Sequence, residues 1–101
     1  MVAARQRPHR RMDRTMFHAV YMGTLWVPRR RGQRRYVFVR DVRDAAGTAV
    51  CDLGIVRQTN ALQALTLRPG DAFTFEARYV RGAEDTHEFM DVSRVTRGGA
   101  V

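Results

Sequence analysis

Apolar positions along the chain fall into short runs divided by Gly, Pro and charged residues, and most of the runs alternate with a period of two. The clearest is DAFTFEARYV at 71–80, which sets Phe73, Phe75, Ala77 and Tyr79 on one face and Thr74, Glu76 and Arg78 on the other. TMFHAVYMGTLWV at 15–27 is rich in aromatic and β-branched residues, and Gly23 in its middle predicts a long first strand that bends or bulges. YVFVRDVR at 36–43 and TAVCDLGIV at 48–56 predict the second and third strands, joined by DAAG at 44–47, so that the first three strands form an antiparallel meander. FMDVSRVT at 89–96 predicts a fifth strand after the polar loop RGAEDTHE.

One stretch departs from this rhythm. In RQTNALQALTLRPGD, Leu62 and Leu65 recur at helical spacing and Thr59 or Asn60 offers an N-cap, which predicts a short helix over about 60–66. RPGD at 68–71, Pro then Gly, is a turn that ends the helix and starts the fourth strand.

The order β-β-β-α-β-β over residues 15–97 resembles the OB-fold, the five-stranded oligonucleotide- and oligosaccharide-binding barrel. The resemblance is carried by the Gly-interrupted first strand (Phe17, Ala19, Tyr21, Gly23), by VFVRDVR, by NALQAL, and by LRPGDAFTFEARYV leading into the fourth strand. It implies an all-β class, a small Greek-key barrel with one short helix. Another small barrel or a strongly bent five-stranded sheet is the rival architecture. Outside the barrel, residues 1–14 read as a flexible basic arm carrying Arg5, Arg7, Arg10, Arg11 and Arg14, and residues 98–101 as a frayed C-terminus.

Charge sharpens the picture. The formal net charge is +8, and every cation in the chain is an arginine. Residues 1–35 hold ten Arg against one Asp, whereas residues 36–101 hold eight Arg against nine acids. Such asymmetry predicts a localised anion-binding face or arm, and arginine adds a planar fork that fits phosphates and stacks on bases.

The resemblance implies a binding face across the second and third strands, flanked by the loops joining the first two and the last two strands. VPRRRGQRR then falls in the first of these loops, with Arg29, Arg30, Arg31, Arg34 and Arg35. On the second strand, two registers are open. If Val37 and Val39 point inward, then Tyr36, Phe38 and Arg40 share the outer face and form a platform for stacked bases; the opposite register puts Tyr36 and Phe38 in the core. Trp26 either stacks on a base or closes the barrel end, and closure is favoured by the area a Trp buries. Glu84, Asp85 and Glu88 in the last loop would repel a phosphate backbone, and could instead pair with the facing arginines or contact a basic partner.

Catalytic signals are weak. His18, His87, Asp41, Asp52, Asp91 and Ser93 show no diagnostic spacing, so the chain reads as non-enzymatic. The three His and single Cys lack metal-ligand spacing, so neither metal nor cofactor is expected. A lone Cys51 fits a reducing compartment, and no apolar run approaches the roughly 20 residues of a membrane span or follows the basic N-terminus as a signal would. The expected location is cytoplasmic, with no membrane partner.

Two functions follow as expectations. The first is a non-catalytic module for single-stranded DNA or RNA with low sequence specificity, preferring single strands to duplex. The second is a protein-interaction adaptor or inhibitor of the phage or mobile-element type, docking its basic arm and hairpin on an acidic or nucleic-acid-binding surface of a larger nucleoprotein complex. An uncovered strand edge would also allow a homodimer.

Overall fold

The computed structural model describes residues 14–82 and 85–98. Five strands and one helix follow in the predicted order: β1 (Arg14–Arg29), β2 (Gly32–Asp44), β3 (Ala49–Arg57), α1 (Asn60–Ala64), β4 (Ala72–Arg81) and β5 (His87–Arg97). The strands close into a barrel in the order β1-β2-β3-β5-β4. Neighbours are antiparallel except β3 and β5, which run parallel and meet at Ile55↔Glu88 and Val56↔Phe89. The chain is therefore the all-β small barrel that the strand pattern predicts, and not an open bent sheet.

Local chemistry accounts for the punctuation. The Thr59 side chain accepts a hydrogen bond from the Leu62 amide at 3.1 Å and caps α1, while Leu62 is buried against the barrel. The helix stops at Ala64, short of the predicted end, because its last turn tightens and Thr66 swings to a φ of 47°. In RPGD the Asp71 amide donates to the Arg68 carbonyl at 2.9 Å, and Gly70 follows Pro69 with a φ of 97°, a conformation that favours glycine. This turn is tied to β1 by paired bonds with the Tyr21 backbone, both 2.8 Å.

The core is aromatic at its centre. Phe17, Phe73, Phe75 and Phe89 are all buried, with ring centroids 4.9–5.7 Å apart, each such contact adding about 0.5–1.5 kcal/mol to area burial. Val37, Val39, Val42 and Val56 complete it. The step from Val39 to Val42 spans three residues because Asp41, with a φ of 50°, forms a bulge in β2 where the pairing shifts between His18↔Arg43 and Val20↔Arg40. The predicted interruption of β1 is a second shift, between Tyr21↔Val39 and Gly23↔Phe38.

The first hairpin differs from expectation. The stretch 27–35, predicted as a loop, is mostly strand: Val27↔Arg34, Pro28↔Gln33 and Arg29↔Gly32 are paired, leaving only Arg30 and Arg31 at the turn. Gly32, with a φ of 105°, takes the positive angle that closes it. β1 pairs with β4 only as far as Val20, and β3 meets β2 only from Tyr36 onward. Residues 24–35 consequently form a two-stranded ribbon extending beyond the barrel ladder.

At the ends, Arg14 belongs to β1, opposite Arg78, so the last residue assigned to the arm lies in the barrel. The rest of the predicted arm (Arg5, Arg7, Arg10, Arg11) and residues 99–101 lie outside the described residues, while the Gly98 amide bonds to the Ala72 carbonyl at 2.7 Å. The closing seam is short: among the described residues, Ala49–Gly54 of β3 has no ladder partner on the side facing β5. No helix among the described residues is long and apolar enough to cross a membrane.

Candidate functional site

Register decides which side chains meet. Val37, Val39, Val56 and Phe89 point into the core, so their neighbours Tyr36, Phe38, Ile55, Arg57 and Glu88 project from the outer surface. Cross-strand pairing aligns Tyr36 with Arg57, Phe38 with Ile55 and Arg40 with Leu53, and the parallel seam sets Glu88 beside Ile55. The outward register for Tyr36, Phe38 and Arg40 is the one adopted.

Tyr36 nevertheless is not available for stacking, since only 1% of it is exposed. Its ring lies under the Arg29 guanidinium, 5.1 Å from the centroid, and its hydroxyl donates to Glu88 Oε2 at 2.8 Å while accepting from Arg29 at 2.5 Å. Arg29 also pairs with Glu88 at 3.2 Å. The hydrogen bond to Tyr36, aided by the Glu88 carboxylate and opposed by partial desolvation, raises the Arg29 pKa above its already high ordinary value. The expectations are an exposed aromatic pair or the burial of at least one of the two rings; Tyr36 is buried, in the outward register and beneath two polar side chains. Glu88 thus meets an arginine of the facing hairpin, as one reading of the acidic loop had it.

Beside this triad opens a cleft of about 490 Å³ lined by Arg29, Arg30, Arg31, Arg34 and Arg57 together with Gln33, Tyr36, Glu88 and Met90. Arg30, Arg31, Arg34 and Arg57 have no ion pair or hydrogen-bond partner for their side chains among the described residues. Four free guanidinium groups around one concavity form a site of high positive potential, suited to a multivalent anion.

The other predicted residues are distributed differently. Arg35 and Trp26 face each other on the opposite side of the ribbon, with the guanidinium 5.8 Å from the indole centroid. Arg35 lines a small cavity of about 80 Å³ near α1, with Gln58 and Leu62. Trp26 is 60% exposed and does not close the barrel, because the ribbon carries it past the last rung shared with β4. Arg40 pairs with Asp41 next to it. Phe38 is half-buried and borders an apolar hollow of about 210 Å³ with Leu53, Ile55 and His87.

Arg57 was not singled out from the sequence. Its signal was the two-residue period of β3, which puts it on the face of Ile55, but only the β2–β3 register sets it opposite Tyr36.

The polar residues weighed for catalysis are scattered. Ser93 bonds to Glu76, Asp91 to Arg78 and His87 to Tyr79, each to its own partner along the β4–β5 ladder and none to another of the three. Burial, then the neighbouring Asp52 charge, pushes the Cys51 thiol up to about 11, so it is protonated at neutral pH. Among the described residues, no group of three His, Cys, Asp or Glu side chains could hold a metal ion. Set against family models, curated proteins and solved structures, the chain matches none of them.

Proposed function

We propose that the protein is a non-catalytic OB-type module that binds single-stranded nucleic acid through its backbone, with little sequence preference. The observation that carries the reading is the cleft on the β2–β3 side of the barrel, with Arg30, Arg31, Arg34 and Arg57 lacking acidic partners among the described residues. Support comes also from the barrel order β1-β2-β3-β5-β4 with its helix between β3 and β4, the arrangement of the OB-fold, whose ligands use this face. Phosphates would follow the arginines and release counterions. Phe38, beside Leu53 and Ile55, offers an apolar surface on which a base can pack, and Trp26 a second one across the ribbon. Tyr36 positions Arg29 and Glu88 and takes no part in stacking.

The test is a titration of labelled oligo(dT), oligo(rU) and duplex DNA at low and moderate salt, with the wild type and an Arg30→Ala, Arg31→Ala, Arg34→Ala variant. Tight, salt-sensitive binding of single strands that the variant loses is the expected result. Binding no stronger than that of an unstructured cationic peptide would reject the module and leave docking on an acidic protein surface as the explanation of the cleft.

A further inference from the structure

Resting on the single-strand reading of this cleft, we infer that its ligand is RNA in preference to DNA, with Glu88 accepting a hydrogen bond from a ribose 2′-hydroxyl. The cleft is otherwise lined by cationic donors, and Glu88 is the one anionic group among its described lining residues. Glu88 Oε2 is committed to Tyr36 and Arg29, whereas Oε1 accepts no hydrogen bond from the described residues. The hydroxyl of the buried Tyr36 and the Arg29 guanidinium hold one oxygen of this carboxylate, and Glu88 lies in the cleft wall with its other oxygen left for a donor from the ligand.

A phosphate cannot satisfy that oxygen, since both are acceptors and both are negative. The partner has to bring a donor. A single strand has two kinds, the base edges and, in RNA, the 2′-hydroxyl. The rings able to stack a base, Phe38 and Trp26, lie outside the cleft lining, and the Tyr36 ring within it is covered by Arg29. With the bases packed on those rings, the part of the strand that passes Glu88 is sugar and phosphate. Ribose supplies one donor per nucleotide beside the phosphates that the arginines hold. Deoxyribose supplies none and would leave a carboxylate facing the strand without a partner.

The experiment compares oligo(rU), oligo(dU) and 2′-O-methyl oligo(rU) of one length by fluorescence anisotropy, on the wild type and on Glu88→Met. A hydrogen bond to a charged acceptor predicts about tenfold tighter binding of oligo(rU) than of oligo(dU), with the methylated strand binding like oligo(dU). In Glu88→Met the ratio falls to about unity whatever the change in affinity for oligo(dU), which the loss of the carboxylate's hold on Arg29 also shifts. Equal wild-type binding of oligo(rU) and oligo(dU), a methylated strand that binds like oligo(rU), or a ratio unchanged by Glu88→Met would each overturn the assignment and leave single-strand binding standing. If no strand binds more tightly than to the Arg30→Ala, Arg31→Ala, Arg34→Ala variant, both readings fall.

Discussion

In β4 and β5 each arginine has found an acid: Arg78 meets Asp91 at 2.9 Å, Arg81 meets Asp85 at 2.6 Å, Arg97 meets Asp71 at 3.0 Å and Arg94 meets Glu76 at 3.5 Å. Around the first hairpin, Arg30, Arg31, Arg34 and Arg57 stand together without one among the described residues. The two regions hold the same side chain in opposite states. Partly exposed pairs such as those of β4 and β5 contribute about 0–1 kcal/mol each, so their main effect is to cancel charge on that side of the barrel. The unpaired set keeps its charge and its mutual repulsion, which an anionic ligand would relieve. Net charge counts both kinds alike; the register of the sheet separates them.

The largest effect should come from exchanging the regions in a binding assay. Arg30→Ala, Arg31→Ala, Arg34→Ala is expected to lower single-strand affinity about 100-fold at low salt and to flatten the logarithmic salt slope by about 2, at about 0.7 per phosphate contact. Arg78→Ala, Arg81→Ala, Arg97→Ala should shift affinity by no more than about twofold, since these charges are already neutralised. Similar losses from the two triple variants would erase the distinction.

A smaller effect concerns stability. Tyr36→Phe removes a hydroxyl that serves both Arg29 and Glu88, and urea denaturation should show a loss of about 1–2 kcal/mol. Arg78→Ala, which breaks a surface pair, should cost under about 1 kcal/mol by the same measurement. If Tyr36→Phe is neutral, the triad does not hold the ribbon against β5.

The smallest is a titration. The hydrogen bond from Arg81, then its charge, keeps the Asp85 carboxyl below its ordinary pKa, and an NMR titration should find it there in the wild type and back in the usual range in Arg81→Ala. The sign follows from the depressed folded value: any stabilisation is present above the ordinary carboxylate pKa and disappears as the pH falls through the folded one. Both side chains are solvent-exposed, so the shift should appear in the titration with no measurable change in unfolding midpoint.

How far the site was legible depended on the range of the interaction. The Thr59 cap, the RPGD turn and the alternation in β4 involve residues within a few positions of one another, and all three formed as predicted. The inward set Val37 and Val39 was one of two registers that periodicity allowed, because β2 carries apolar residues on both faces. The fate of Tyr36 was not legible at all. Its cover comes from Arg29, across the turn, and from Glu88, fifty-two positions away. The loop boundary differs from the predicted one for a related reason: arginines suggest a solvated loop, yet pairing with Val27 and Trp26 keeps Arg34 and Arg35 in strand and sends them to opposite faces.

By itself the sequence determined the order of the elements, the apolar faces that build the barrel and the concentration of arginine near the first hairpin. These depend on local geometry and composition, which a chain carries wherever it is. Tertiary structure alone decided which arginines stay unpaired, that Tyr36 is a buried support, that Arg57 joins the cleft and that Glu88 stands in it. Closing the barrel through a short parallel seam between β3 and β5 brings those residues together, and neighbours made by closure leave no periodic trace in the chain.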